Sequence, residues 1–308
     1  MAVGNAINEQ TTGICGFTGT AFIGTPATEH FVLIGGSTTS TIVNVTPSTA
    51  GLVLTSNGVS ADPSFQINPG NFSPNSTINM FDDFMSQIDM VSVTPHIITG
   101  QLAWFSINNA GLGGPGFIPT NVTQNGHPGI LSSSALTSSS NSLFLTGNVN
   151  NSAQIFTCFI LGGGQLTINW VFNIVNLSTV TNRYILRLGL GDTLSADQAN
   201  GVYFEYSDNI NSGNWVYKTA AASSRTTTNS STAVTTGWHN AQVVVNAAAS
   251  SVSFSMDGVS LGAVITTNIP TTNGINPFID ELRTAGTIAA GTLLVDLMYL
   301  TQTLTTPR

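Results

Sequence analysis

The chain has 308 residues, of which 41% are hydrophobic and only 6% charged, and its net charge is −8. A globular protein ordinarily carries about 25% charged residues, so Ser, Thr and Asn must cover this surface. No Lys or Arg precedes Arg183, which excludes the basic clusters that a phosphate backbone or an anionic membrane requires. Low charge does not imply disorder here, because apolar residues in period-2 alternation are ample for a core. It does limit repulsion between identical subunits and so favours close homo-oligomeric packing.

Residues 1–10 hold neither a basic stretch nor an apolar run, so no signal peptide is expected and synthesis in the cytoplasm follows. No apolar run approaches the ~20 residues of a membrane-spanning helix. Residues 31–34, 41–45 and 51–54 read as short strands, separated by Gly35-Gly36, Pro47 and Asn57-Gly58. Hairpins of this size have too little core to stand alone. Residues 1–75 are therefore expected to be a small β-rich attachment and oligomerisation region, with a flexible linker as the other reading. Pro69, Gly70 and Pro74 mark the boundary to a second domain over residues 76–308.

Residues 81–88 are expected to form a short helix, with Asp82 and Asp83 near its N-terminus where the dipole favours acids. Residues 107–150 read as loop-rich, and the stretches 111–116 and 132–142 as polar insertions between strands. From Ile155 onward strands are dense. Ile168, Trp170, Phe172 and Ile174 alternate with polar or smaller residues, as do Tyr184, Leu186, Leu188 and Leu190. Val202, Phe204 and Tyr206 share one face of the next strand, and Tyr203 and Glu205 the other. Val252, Phe254 and Met256 lead into Asp257-Gly258 and back through Val259 and Leu261, a β-hairpin signature. The last strand covers residues 293–300. The pattern predicts an all-β, antiparallel two-sheet sandwich with Greek-key connections.

Chemistry is sparse in this pattern. A retaining glycosidase needs two carboxylates about 5 Å apart, which on one strand means positions i and i+2. Glu205 and Asp208 fail that test, as do the adjacent Asp280 and Glu281, so no catalytic residues and no enzyme are expected. His30, His96, His127 and His239 lack a G-x-S-x-G partner; His127-Pro128 reads as a turn and His239 as a packed strand residue. Asp192, Asp197 and Asp208, with Asn200, are candidate oxygen ligands for Ca²⁺, although their spacing is not that of an EF-hand and solvated loop acids remain the other reading. Trp104, Trp215 and Tyr217 are the candidate sugar-stacking residues, with core packing as the alternative. Cys15 and Cys158 form no metal or redox motif and read as two unpaired thiols, a disulfide being the other possibility. No cofactor is expected.

One ordered set of motifs resembles a known group. The run from Gly201 to Leu261 places a strand, Trp215, a polar loop, Gly237-Trp238-His239, a further strand and the Asp257-Gly258 hairpin in succession. Asp82-Asp83-Phe84, Trp104 and Gly126-His127-Pro128-Gly129 precede it. Ile269-Pro270, Thr284-Ala285-Gly286-Thr287 and Leu294-Val295-Asp296-Leu297 follow. Together they cover residues 78–304 and resemble the concanavalin A-like jelly-roll sandwiches of bacteriophage structural proteins, the fibres, spikes and head decorations. Residues 46–66 are similar to a short module that recurs in phage tail fibres. The resemblance implies a surface-exposed virion component, a homo-oligomer with a trimer favoured, and contacts with other virion proteins. It carries no shared catalytic residues; a host-surface glycan is a candidate further partner, and the charge leaves neither nucleic acid nor membrane as one. A carbohydrate-binding adhesin or extracellular filament, and then a polysaccharide depolymerase, are the rival expectations.

Overall fold

Alternation along the longest strands sorts their side chains between a common interior and an outer face. The computed structural model describes the strands at 32–35, 42–45, 52–55 and 64–67. From residue 75 to 308 it describes all but 86–87, 90–95, 100–101, 109–115, 121–123, 138–139, 146–157 and 194–195. Cys15, His30 and the N-terminal ten residues lie outside the described residues. The chain divides into two compact units, Met1–Ser73 and Pro74–Arg308.

In the first unit β1 (Val32–Gly35) pairs antiparallel with β2 (Ile42–Val45), and β3 (Leu52–Thr55) with β4 (Ser64–Ile67). These are two separate two-stranded sheets.

The second unit begins with β5 (Thr77–Asp82), β6 (Ile88–Asp89), β7 (His96–Thr99) and β8 (Ala103–Asn108). It continues through β9 (Phe117–Pro119), β10 (Leu131–Ser133), β11 (Ser140–Leu145), β12 (Gly164–Ile174) and β13 (Arg183–Gly191). Then come β14 (Gly201–Tyr206), β15 (Asn214–Ala221), β16 (Ser224–Ala233), β17 (Gly237–Val245) and β18 (Val252–Met256). The chain closes with β19 (Val259–Ser260), β20 (Asn276–Ala285) and β21 (Leu293–Leu304). An eight-stranded sheet has the order β19-β18-β17-β12-β21-β10-β9, with β5 also paired to β21. A nine-stranded sheet has the order β16-β15-β14-β13-β20-β11-β8-β7-β6. Every strand pair among the described residues is antiparallel, and the two sheets enclose one core, so the unit is an antiparallel jelly-roll sandwich of concanavalin A-like type.

Aromatic side chains join the sheets across that core. Trp104 of β8 meets Trp170 of β12 at 5.7 Å between ring centroids, Phe204 of β14 meets Phe254 of β18 at 5.3 Å, and Trp215 of β15 meets Phe172 of β12 at 6.2 Å. Each such side chain contributes about 1.5–3 kcal/mol by burial. At the expected hairpin, Asp257 and Gly258 both have positive φ, 53° and 78°, as a two-residue turn joining twisted strands requires.

Two expectations are corrected. Among the described residues of 81–88 no helix forms; β5 runs to Asp82 and β6 begins at Ile88. The Asp82 carboxylate accepts the Phe84 N–H at 2.8 Å and the Asp83 carboxylate accepts that of Met85, and Phe84 takes a φ of 53°, in the left-handed region, which turns the chain out of a right-handed helix. Asp82 also accepts from the Leu102 N–H and the Trp104 indole, which ties this turn to β8. The polar stretch 132–142, read as an insertion, contains the start of β11, whose Ser140, Asn141 and Ser142 are buried in the middle of the nine-stranded sheet.

Candidate functional site

Tyr184, Leu186, Leu188 and Leu190 of β13 belong to the core, which leaves Arg187 on the outer face of the nine-stranded sheet. The same parity turns Glu205 of β14, Lys218 of β15 and Asp280 of β20 outward. Arg187 lies directly opposite Glu205 on one side and Asp280 on the other. Its Nε donates to Glu205 at 2.7 Å, and the Lys218 ammonium donates to the second Glu205 oxygen at 2.7 Å. Asp280 is held by the Ser142 hydroxyl at 2.7 Å, with Arg187 Nη1 3.9 Å from its other oxygen.

The loop after β13 adds a third acid. Gln198, fully buried, accepts the N–H groups of Asp192 and Thr193 and donates to the Thr193 carbonyl. It fills the place a side chain at Gly191 would need, since a Cβ there would stand 2.2 Å from its Oε1. This fold of the loop presents Asp197 to the Tyr203 hydroxyl at 2.6 Å, Arg225 at 3.0 Å, Arg187 at 3.5 Å and Lys218 at 3.6 Å. Arg187, Lys218 and Arg225, three of the chain's six Lys and Arg residues, thus face three carboxylates.

Burial sets the protonation here. It raises the Asp197 carboxyl, but the Tyr203 hydrogen bond and the charges of Lys218, Arg187 and Arg225 outweigh it and hold the group below the usual range. Asp280, fully buried, is pushed up to about 6, against the Ser142 hydroxyl and Arg187. On the inner face burial pushes Glu281 up to about 8, against hydrogen bonds from Asn141 and Ser133. Glu205 engages a cation with each oxygen and is buried, so it presents no open carboxylate to a substrate. The arrangement is a self-neutralising lattice across five strands, β13 to β16 and β20.

A second cluster lies on the eight-stranded sheet. The β12–β21 register shifts so that Val171 pairs with Leu297 and Phe172 with Val295, leaving Asp296 as a bulge residue. Asp296 meets His127 Nδ1 at 2.7 Å, and His127 stacks on Trp238 at 3.7 Å between ring centroids. The Trp238 indole donates to Gln124 at 2.9 Å. Three of the motif segments therefore converge, and a fourth adjoins them, because a Cβ on Gly129 would fall 1.9 Å from the Asp83 carbonyl oxygen. At one end of the sandwich a cleft of about 520 Å³ is lined by uncharged residues including Asn176, Thr179, Tyr184, Thr236 and Thr292.

The structure disperses the other sequence candidates. Trp104, Trp215 and Tyr217 are at most 1% exposed and pack in the core, the alternative given for them above, so none presents a ring to a sugar. The calcium candidates are not brought together. Asp192 accepts from Thr193, Ala199 and Asn200 within its own loop, Asp197 belongs to the lattice, and Asp208 takes a two-pronged contact from Arg183 and the Ser178 hydroxyl. Among the described residues no group of three metal-binding side chains occurs. His239 is buried, with its ring nitrogens 2.8 Å from Asp257 and 2.9 Å from the Thr235 carbonyl. Cys158 is exposed. Reading carboxylates along one strand missed the lattice, whose members lie in a row across strands.

Residues 125–296, more than half of the 308, match the family described as SO2946-like, C-terminal domain. The chain belongs to this SO2946-like family. The stretch that defines its membership begins two residues before His127 and ends on Asp296. The crystal structure of SO2946, a protein of unknown function from Shewanella oneidensis MR-1, superposes with a TM-score of 0.53 at 14% identity, over 78% of this chain and 98% of that one. That is a likeness of fold. The carbohydrate recognition domain of Emp46p in its potassium-bound form gives a TM-score of 0.44 at 10% identity, over 72% and 98%. The CBM2 module of the evolved Dit of Lactobacillus casei BL23 phage J-1 gives 0.40 at 13%, over 74% and 96%. No curated protein matches the sequence.

Proposed function

We propose that this chain is a non-enzymatic structural subunit of a bacteriophage particle, a tail or head fibre, spike or capsid decoration. Its N-terminal unit attaches and oligomerises, a trimer being favoured, and its jelly roll is displayed for contact with the host surface. The observation that carries the reading is the contrast between the two units. The described strands of the first form only isolated pairs, and a two-stranded hairpin is marginal by itself in water. The second has a complete core of its own. A unit of the first kind gains its stability by association with other copies or with a particle.

The lattice supports a non-catalytic reading. A depolymerase of the glycosidase kind needs a carboxylate open to its substrate, whereas Glu205 is 2% exposed and Asp280 fully buried. Immunogold labelling of intact particles with antibody against residues 74–308 tests display. Gold on the particle surface is expected, and labelling confined to cell-derived filaments would support the adhesin reading instead.

A further inference from the structure

The open edges of the two sheets are unequal. Among the described residues β6 and β19 end their sheets with two residues each, β9 with three, and β5 borders β21 with six. Very short edge strands are a common protection against unwanted pairing. The remaining edge, β16, has ten residues and, among the described residues, pairs only with β15. It contains no proline, and its one charged residue, Arg225, is drawn toward Asp197 at 3.0 Å. Arg225, Thr227 and Asn229, which share the outer face of the sheet, are exposed.

We propose that β16 is a pairing edge that binds the β16 of a second copy of this chain, antiparallel about a two-fold axis. Parity and charge select that occupant. Opposed residues in an antiparallel ladder share a face, so exposed positions must meet exposed positions, and the axis must pass through a residue. The regular part of the strand, 224–229, ends where the β15–β16 register shifts, with Val216 opposite Asn229 but Asn214 opposite Ala233. Centring on Thr227 places Thr227 opposite itself and Arg225 opposite Asn229. The two guanidinium groups then never oppose each other, and like charges directly opposed would be the main obstacle. Threonines facing each other across a ladder also pair favourably.

The contact joins chains two by two, whichever oligomer the first unit builds, so it is independent of the virion reading. The full-length chain should show twice the light-scattering mass of its Thr227→Lys variant, which opposes two ammonium groups. In a background with Cys15→Ser and Cys158→Ser, Thr227→Cys should give a disulfide-linked dimer on oxidation, since opposed Cα atoms of a ladder lie within disulfide reach. Asn240→Cys, on an exposed position of the other sheet, serves as the control. Unchanged mass in Thr227→Lys together with no excess crosslinking of Thr227→Cys over the control would overturn the proposal. Circular dichroism identical to the parent shows that each variant is folded. Loss of the dimer without loss of particle association would leave the virion reading intact.

Discussion

Asn141 of β11 lies directly opposite Glu281 of β20 and donates its side-chain amide to that buried carboxyl at 3.1 Å. The other oxygen of each group, Glu281 Oε1 and Asn141 Oδ1, is buried without a partner among the described residues. Two acceptors cannot satisfy one another, but a proton on the carboxyl supplies the missing donor. The neutral acid therefore fits this place better than the carboxylate.

That preference sets a pH dependence. The Glu281 carboxyl is raised from 4.5 to about 8, so its contribution to stability is fully present below about 4.5 and is lost as pH rises toward 8. Asp280 acts in the same direction, from 3.8 to about 6. Asp208, lowered by its Arg183 and Ser178 hydrogen bonds, opposes them only below 3.8. The thermal midpoint of the full chain should fall by several degrees between pH 5 and pH 9, and Glu281→Gln should flatten that fall. A midpoint that rises over the same range would show that Glu281 folds as the carboxylate.

Glu205 balances two cations at once. Glu205→Gln leaves Arg187 and Lys218 buried with less than their countercharge, and breaking such a pair from one side costs about 3–5 kcal/mol. Urea denaturation should show this as a lowered midpoint with an unchanged slope. A change below 1 kcal/mol would mean that water already screens the lattice.

The stack of His127 on Trp238 is close and nearly parallel, at 10° between planes. Aromatic pairs of this kind are worth about 0.5–1.5 kcal/mol beyond their buried area. A double-mutant cycle of His127→Ala and Trp238→Ala should return a coupling in that range. Additive losses would show that the two rings are neighbours without mutual support.

Trp215 is core and not a sugar platform. Trp215→Ala should cost about 3–5 kcal/mol, while Trp215→Phe should leave any glycan-array profile unchanged. Selective loss of one glycan signal in folded Trp215→Phe would restore the residue as a binding candidate.

Much of the fold is legible because alternation speaks for itself. Tyr184 to Leu190 and Val202 to Tyr206 show their buried faces in the sequence, and the Asp257-Gly258 turn shows its hairpin. β11 does not, because Ser140, Asn141 and Ser142 are polar and read as loop. Asn141 and Ser142 are polar because Glu281 and Asp280 stand opposite them, and that pairing spans about 140 residues of chain. The failed helix has a similar cause: Asp82 looked like a first-turn acid, but its carboxylate serves Phe84, Leu102 and Trp104. The charge lattice was hidden for the same reason. Arg187, Glu205, Lys218 and Asp280 come from four strands, and no spacing within one strand announces a row across them.

The most direct test of the virion reading is quantitative mass spectrometry of density-banded virus particles from the source culture, counting this chain against the major capsid protein. The account predicts a fixed ratio that persists through a second banding, low for a tail fibre and high for a head decoration. Absence of the chain from purified particles, with the protein recovered instead from a filament or cell-surface fraction, would contradict it.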